Sequence, residues 1–307
     1  MENTPLFHAA IGGLGLLGAV TRLRLQLQRV FSGRMQVQAW AGGDLGALLD
    51  RFHQQEAAQD HLVGWVDGMP GARSGGRSHS GRGIVHGARQ LSAQEDPQGQ
   101  AALDPRSQLL RRRIAGLPVD RVGQLLRLFA HDPGVRTVNS LKYHGASPSR
   151  TYLQSHAAFA FLLDVVPDWR RAYGREGLVQ IQVFLPRDQA LEGFREILRL
   201  TAEAGRPPWL CVLKRHAADD SLLCYALDGF SLALDFPFSP ALYALGRRLT
   251  ERVLDRGGRF YLAKDALLQA PDVRRMYGSD RLDRFLALKA EVDPGGLFTS
   301  DLARRVM

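Results

Sequence analysis

The chain has 307 residues, 45% of them hydrophobic, enough to bury one large core or two modest ones. Its two cysteines, Cys211 and Cys224, supply neither a disulfide framework nor a paired-cysteine metal motif, and no metal site is expected. The net charge of +9 and pI near 10.0 suggest nucleic-acid binding. However, only four of the cations are lysines, Lys142, Lys214, Lys264 and Lys289, and the arginines are scattered along the chain. The densest patch, GARSGGRSHSGRGIVHGARQ, lacks interleaved aromatics for base stacking. It reads as a flexible loop, and no nucleic-acid partner is expected.

Near the N-terminus, PLFHAA has helical character, with Pro5 suited to a first turn. Gly13, Gly15 and Gly18 then spell G-x-G-x-x-G, and AVTRLRLQLQ follows with the alternation of a half-buried strand. A dinucleotide fingerprint needs the opposite order, strand before glycines and helix after them. The apolar run ends at Arg22, with Glu2 where a signal peptide would carry basic residues. The reading is a cytoplasmic protein without a transmembrane segment, peripheral membrane contact being left open.

DLGALLDRFHQQEAAQ predicts an amphipathic helix with Leu45, Leu48, Leu49 and Phe52 on one face, and HLVGWVDGMP a strand ending in a turn. Residues 68–107 read as irregular, and SQLLRRRIAGLPVDRVGQLLRLFAHDP as one or two helices. VNSLKYHG reads as a short strand. A helical or extended entry at FAFLLDVV leads through a turn at Gly174 to Gly177 into a strong strand, LVQIQVFLP. The helix RDQALEGFREILRLTAEAG, closed by Gly205, comes next. Strands at WLCVLKRH, LLCYALDGF and SLALDFP, the helix ALYALGRRLTERVLDRGG and the segment RFYLAKD complete the predicted order. The rhythm implies an α+β fold, an antiparallel sheet with backing helices.

Hydrolase and zinc-protease signatures are absent, and the carboxylates are dispersed. The informative residues are polar groups on apolar strands. Gln180 and Gln182 lie two apart and share a strand face. Lys214 interrupts WLCVLK, and Lys264 with Asp265 follows RFYLA. Taken alone, each is equally readable as a solvated edge residue.

Blocks spread over most of residues 1–30 and 139–305 resemble the FAD-linked oxidases of the vanillyl-alcohol oxidase type, more narrowly the decaprenylphosphoryl-ribose 2′-oxidase-like proteins. The blocks are LFHAAIGGLGLLGAVTRLRLQL, DWRRAYGREGLVQIQVFLP, WLCVLKRHA, GFSLALDFP, RVLDRGGRFYLAKD and VDPGGLFTSDLARR. Residues 31–138 match only loosely.

The resemblance implies a division into residues 1–30 as the end of an FAD-binding domain, 31–258 as a substrate domain and 259–307 as a return to the FAD domain. It implies that Gly12, Gly13, Gly15, Gly18 and Ala263 lie near FAD, and that Lys264 is catalytic, beside both flavin and substrate. A fixed ammonium there stabilises the negative charge that reduced flavin gathers at N1 and the C2 carbonyl. Gln180, Gln182, Lys214 and Ser231 would line the substrate site. Ser231 and Ala233 stand where relatives carry Asn and Cys, which puts substrate identity in doubt.

The implied activity is oxidation of a secondary alcohol of a sugar or polyprenyl-phosphate sugar by hydride transfer to FAD. The pyrophosphate-binding part of the family does not precede Met1, so the chain reads as a C-terminal portion: a truncated gene product, a mis-called start, or one half of a split enzyme whose other half is an upstream-encoded FAD-domain chain. The rival readings are a non-catalytic fragment or partner subunit that binds sugar-phosphate or protein without flavin, and an arginine-rich nucleic-acid binder.

Overall fold

In a computed structural model, the structure describes residues 4–71, 73–74, 77–78, 81–108, 113–114, 117–118, 121–122, 127–146, 150–162 and 169–307. Helix α1 (Thr4–Ala10) opens the chain. An eight-stranded antiparallel sheet dominates it, built from β1 (Arg34–Gly42), β2 (His61–Val66), β3 (Gly83–Gln90), β4 (Arg150–Ser155), β5 (Leu178–Pro186), β6 (Leu210–His216), β7 (Gly229–Pro237) and β8 (Arg259–Phe260). Across the sheet the order is β8-β5-β7-β6-β2-β3-β1-β4.

Three helices with apolar residues at helical spacing cover one face. In α2 (Leu45–Gln55) these are Leu45, Leu48, Leu49 and Phe52, and the Asp44 carboxylate caps the helix by accepting from the Ala47 amide. Helix α5 (Ala190–Glu203) buries Phe194, Ile197 and Leu198, and α6 (Ala241–Asp255) buries Leu242, Leu245, Leu249 and Val253. They pack on Val183, Leu185, Leu213, Phe230, Leu232 and Leu234 of the sheet. The same apolar cluster includes Ala9 and Leu16 near the N-terminus and extends to Val306 in the last helix. Lys289, on α8 (Ser279–Val292), ties the glycine-rich segment to the C-terminal part by donating to the carbonyls of Leu16 and Phe298. Helix α7 (Ala270–Tyr277) and the terminal α9 (Asp301–Val306) complete this part.

The opposite face carries α3 (Asp132–Gly145) near β1, β2 and β3, where Tyr143 joins Ala39, Trp65 and Ile84. A buried ion pair pins it: Arg82 bridges Asp67 and donates to Ser140, while Asn139 donates to Asp67. A short α4 (His156–Ala160) follows β4.

The structure corrects five expectations. VNSLKYHG is not a strand but the end of α3, started by the His131 ring, which accepts from the Gly134 amide, and by Pro133 in the first turn. Its buried residues, Asn139 and Tyr143, sit four apart, the helical spacing. LLCYALDGF is no strand before Gly229, because β6 and β7 already have neighbours on both edges; Leu222 and Leu223 simply enter the core. Residues 19–28 pair with no strand, and Val20, Leu23, Leu25 and Leu27 are 66–75% exposed. The irregular stretch 68–107 contains β3, hidden by its glycines: a Cβ on Gly83 would lie 2.1 Å from the Trp65 carbonyl oxygen. Where one or two helices were expected between Ser107 and Pro133, the described residues instead include a two-residue antiparallel pair, Arg113–Ile114 with Leu117–Pro118, and a 3-10 turn at Arg127–Phe129, while residues 109–112, 115–116, 119–120 and 123–126 lie outside the described residues.

Candidate active site

The ladder registers set one row of polar side chains on the face opposite α2, α5 and α6. Gln182 is paired with Ala233 and Gln180 with Asp235 across β5 and β7, while Lys214 on β6 is paired with Ser231. Because side chains alternate along a strand, Gln180, Gln182, Lys214, His216, Ser231, Ala233 and Asp235 all project to this side. The apolar residues between them, such as Ile181, Val183, Leu232 and Leu234, enter the helix-backed core. In this part of the sheet one side is apolar and the other carries the polar row.

The row is hydrogen-bonded internally. Gln182, only 4% exposed, donates through Nε2 to Ser231 Oγ at 3.0 Å, and Ser231 Oγ lies 2.8 Å from His216 Nε2. Ser231 already accepts from Gln182, so its proton is free for a neutral imidazole. Burial, with Lys214 and Arg215 nearby, lowers the His216 pKa to about 4, which keeps that imidazole neutral. Phe184, Tyr225 and Tyr261 extend the site as an aromatic wall: Phe184 meets His216 edge-on at 4.9 Å, and Tyr225 and Tyr261 stand 4.4 Å apart.

Asp235 is the perturbed carboxylate of the row. It is 1% exposed; Gln180 Nε2 donates to its Oδ1, while Oδ2 has no hydrogen-bond partner among the described residues. Burial pushes its pKa up to about 6, against the opposing pull of Gln180, Lys264 and Arg170.

Lys264 closes a one-turn 3-10 helix, Leu262–Lys264, directly after β8. The backbone amide of Tyr261 is fixed to the Gln182 carbonyl at 3.0 Å, so the turn is anchored to the strand that carries both glutamines. Lys264 is partly buried, and its pKa is lowered by burial and then by Lys214, with Asp235 acting in the opposite sense. The ammonium thus shares a field with the polar row rather than standing alone in solvent.

On the other side of this turn is a cavity of about 320 Å³ whose lining includes Gly12, Leu14, Tyr225, Tyr261, Leu262 and Ala263. Gly12 and Ala263, far apart in sequence, meet there. Gly15 and Gly18 have φ of +72° and +144°, and a Cβ at either would touch nothing within 4 Å, so open space lies beside this backbone. Gly13 differs: its Cβ would stand 2.5 Å from the Ala9 carbonyl oxygen, and it is required by the tight exit from α1.

Sequence reasoning singled out Lys264, both glutamines, Lys214 and Ser231, and the structure places them in one region. It did not single out Asp235 or His216. The signal for Asp235 was present, since in FSLALDFP it continues the Ser231, Ala233 alternation as a lone carboxylate in an apolar strand.

No protein-family model matches the chain. It is 30% identical over 312 residues to decaprenylphosphoryl-beta-D-ribose oxidase of Mycolicibacterium smegmatis, covering 99% of this chain and 64% of that protein. It is 31% identical over 311 residues to an uncharacterized protein of the mprA 5′ region of Streptomyces coelicolor, covering 99% of this chain and 81% of that one. The chain is thus related to the decaprenylphosphoryl-beta-D-ribose oxidase-like FAD oxidases, and it spans 64% of the length of that oxidase.

Proposed function

We propose that this chain is a cytoplasmic FAD-dependent oxidoreductase, or the substrate-binding part of one, acting on a secondary alcohol of a sugar or lipid-linked sugar. In this reading residues 31–258 bind substrate, while residues 1–30 and 259–307 face the cofactor. The observation that carries it is the position of the Leu262–Lys264 turn. It borders the cavity that includes Gly12 and Ala263, and it ends in a cation that senses Lys214 and Asp235 of the polar row.

The cavity's lining, which brings together Tyr225, Tyr261 and Gly12, suits a flat ring system. FAD, when bound, supplies a two-electron acceptor for a hydride. The protein's own residues do the rest. Lys264 holds a positive charge beside the place where electron density accumulates. Gln182, oriented by Ser231, presents its amide to a substrate hydroxyl, and Lys214 offers an ammonium to a phosphate or hydroxyl. The aromatic wall shields the reacting atoms from water.

The test is reconstitution. The purified chain is incubated with FAD, alone and together with the protein encoded immediately upstream. Bound flavin absorbance that bleaches on adding sugar alcohols supports the reading; its absence in both mixtures refutes it.

A second reading, a non-catalytic partner subunit, is favoured by one observation: Phe7, Ile11 and Val20 are 46%, 45% and 74% exposed. It predicts self-association of the isolated chain. Light scattering showing a monomer that binds flavin removes it.

A further inference from the structure

Resting on the oxidoreductase reading, we propose that Asp235 is a catalytic residue: its free carboxylate oxygen accepts the hydrogen bond, and then the proton, of the substrate hydroxyl being oxidised.

The geometry carries this. Buried polar oxygens in folded proteins are nearly always hydrogen-bonded, and an orphan one marks a place built for something else. Asp235 Oδ1 is satisfied by Gln180, while Oδ2 is buried, unpartnered among the described residues, and on the same side of the sheet as Gln182 and Ser231. Lys264 senses Asp235 and is sensed by it, yet the two form no direct ion pair among the described residues. With no ion pair closed between them, Oδ2 is left for a ligand oxygen within the field of the ammonium. The carboxylate takes its proton and the ammonium steadies the charge that develops.

Among the described residues, the remaining charged or titratable groups that sense Asp235 are Arg170 and Tyr173, from the turn Trp169–Tyr173, and Cys211 on β6. That turn is braced by a stack of Tyr173 on Trp209 at 5.2 Å, and the Trp209 amide donates to the Asp235 carbonyl at 2.9 Å. Burial holds the carboxyl near pH 6, the range in which a general base works best in neutral solution.

The step balances. The substrate O–H bond breaks and its proton passes to Asp235 Oδ2. The bond's electron pair becomes the second bond of the new carbonyl, and the C–H pair leaves as hydride to the two-electron oxidant, a flavin.

The experiment uses the full chain and a neutral probe, methyl β-D-ribofuranoside, whose binding is followed by ligand-observed NMR at pH 5 and pH 8. An ionised acceptor holds a hydroxyl better than a protonated one, so the unaltered protein binds about tenfold more tightly at pH 8. Asp235→Asn keeps the bond from Gln180 and turns the free oxygen into a donor; its binding is the same at both pH values. In the flavin-loaded protein the variant loses about 10² to 10⁴ in kcat, with the acid limb of the pH profile gone. Equal binding at the two pH values, a variant that keeps the pH dependence, or an unchanged kcat overturns the role of Asp235 and leaves the oxidoreductase reading standing. No binding by the unaltered chain overturns both.

Discussion

Replacing Asp235 by Asn makes the protein more stable at neutral pH, by an amount that depends on pH in a definite sense. The carboxyl is 1% exposed and titrates at about 6 instead of its ordinary 3.8. Each pH unit between those values is worth about 1.4 kcal/mol, so ionising it costs the folded state about 3 kcal/mol. The sign follows from proton counting. Between pH 4 and pH 6 the unfolded chain has released this proton and the folded one retains it, so stability falls as pH rises through that window. Asparagine has no proton to lose. The difference in unfolding free energy, variant minus wild type, therefore climbs by roughly 2.5 kcal/mol from pH 4 to pH 7. Urea unfolding followed by tryptophan fluorescence at pH 4, 5, 6 and 7 measures it. His216 and His86, both with pKa lowered to about 4 by burial, titrate with the opposite sign but cancel in the subtraction. A difference that stays flat with pH refutes the claim that Asp235 is a desolvated carboxyl.

Three further outcomes are expected. Lys264→Met raises the Asp235 titration above its present value, because it removes a cation that favours the ionised form; carboxyl-carbon NMR reads the midpoint, and an unmoved one separates the two residues. Asp67→Ala, which strands the buried Arg82 guanidinium, destabilises the protein by about 3–5 kcal/mol in urea unfolding, with a loss under about 1 kcal/mol contradicting the role of this pair in seating α3. Gly13→Ala lowers the thermal midpoint more than Gly15→Ala, since the first drives a methyl into the Ala9 carbonyl while the second meets open space and costs only about 1 kcal/mol of backbone strain.

The site was more legible than its surroundings. Gln180 and Gln182, two apart in LVQIQVF, announce a strand with a polar face, and Lys264 follows a short strand as a cation among apolar residues. Local pattern also specified α2, α5 and α6, whose apolar residues repeat at helical spacing, and the strands β2, β5, β6 and most of β7. The α+β class, an antiparallel sheet backed by helices, followed from their order.

What local pattern could not supply was competition for sheet edges. LLCYALDGF and AVTRLRLQLQ both have strand-like residues, but a strand forms only where a neighbour offers unpaired amides and carbonyls, and the sheet order leaves neither segment paired. GIVHGARQ has glycines that look like breakers, yet it pairs on both edges, because a glycine is what close approach to the Trp65 backbone demands. The tertiary structure alone decided that Asp235 is buried beside Gln180, within the field of Lys264, with one oxygen unpartnered among the described residues. Desolvation depends on what packs around a carboxylate from distant parts of the chain, and no stretch of sequence contains that information.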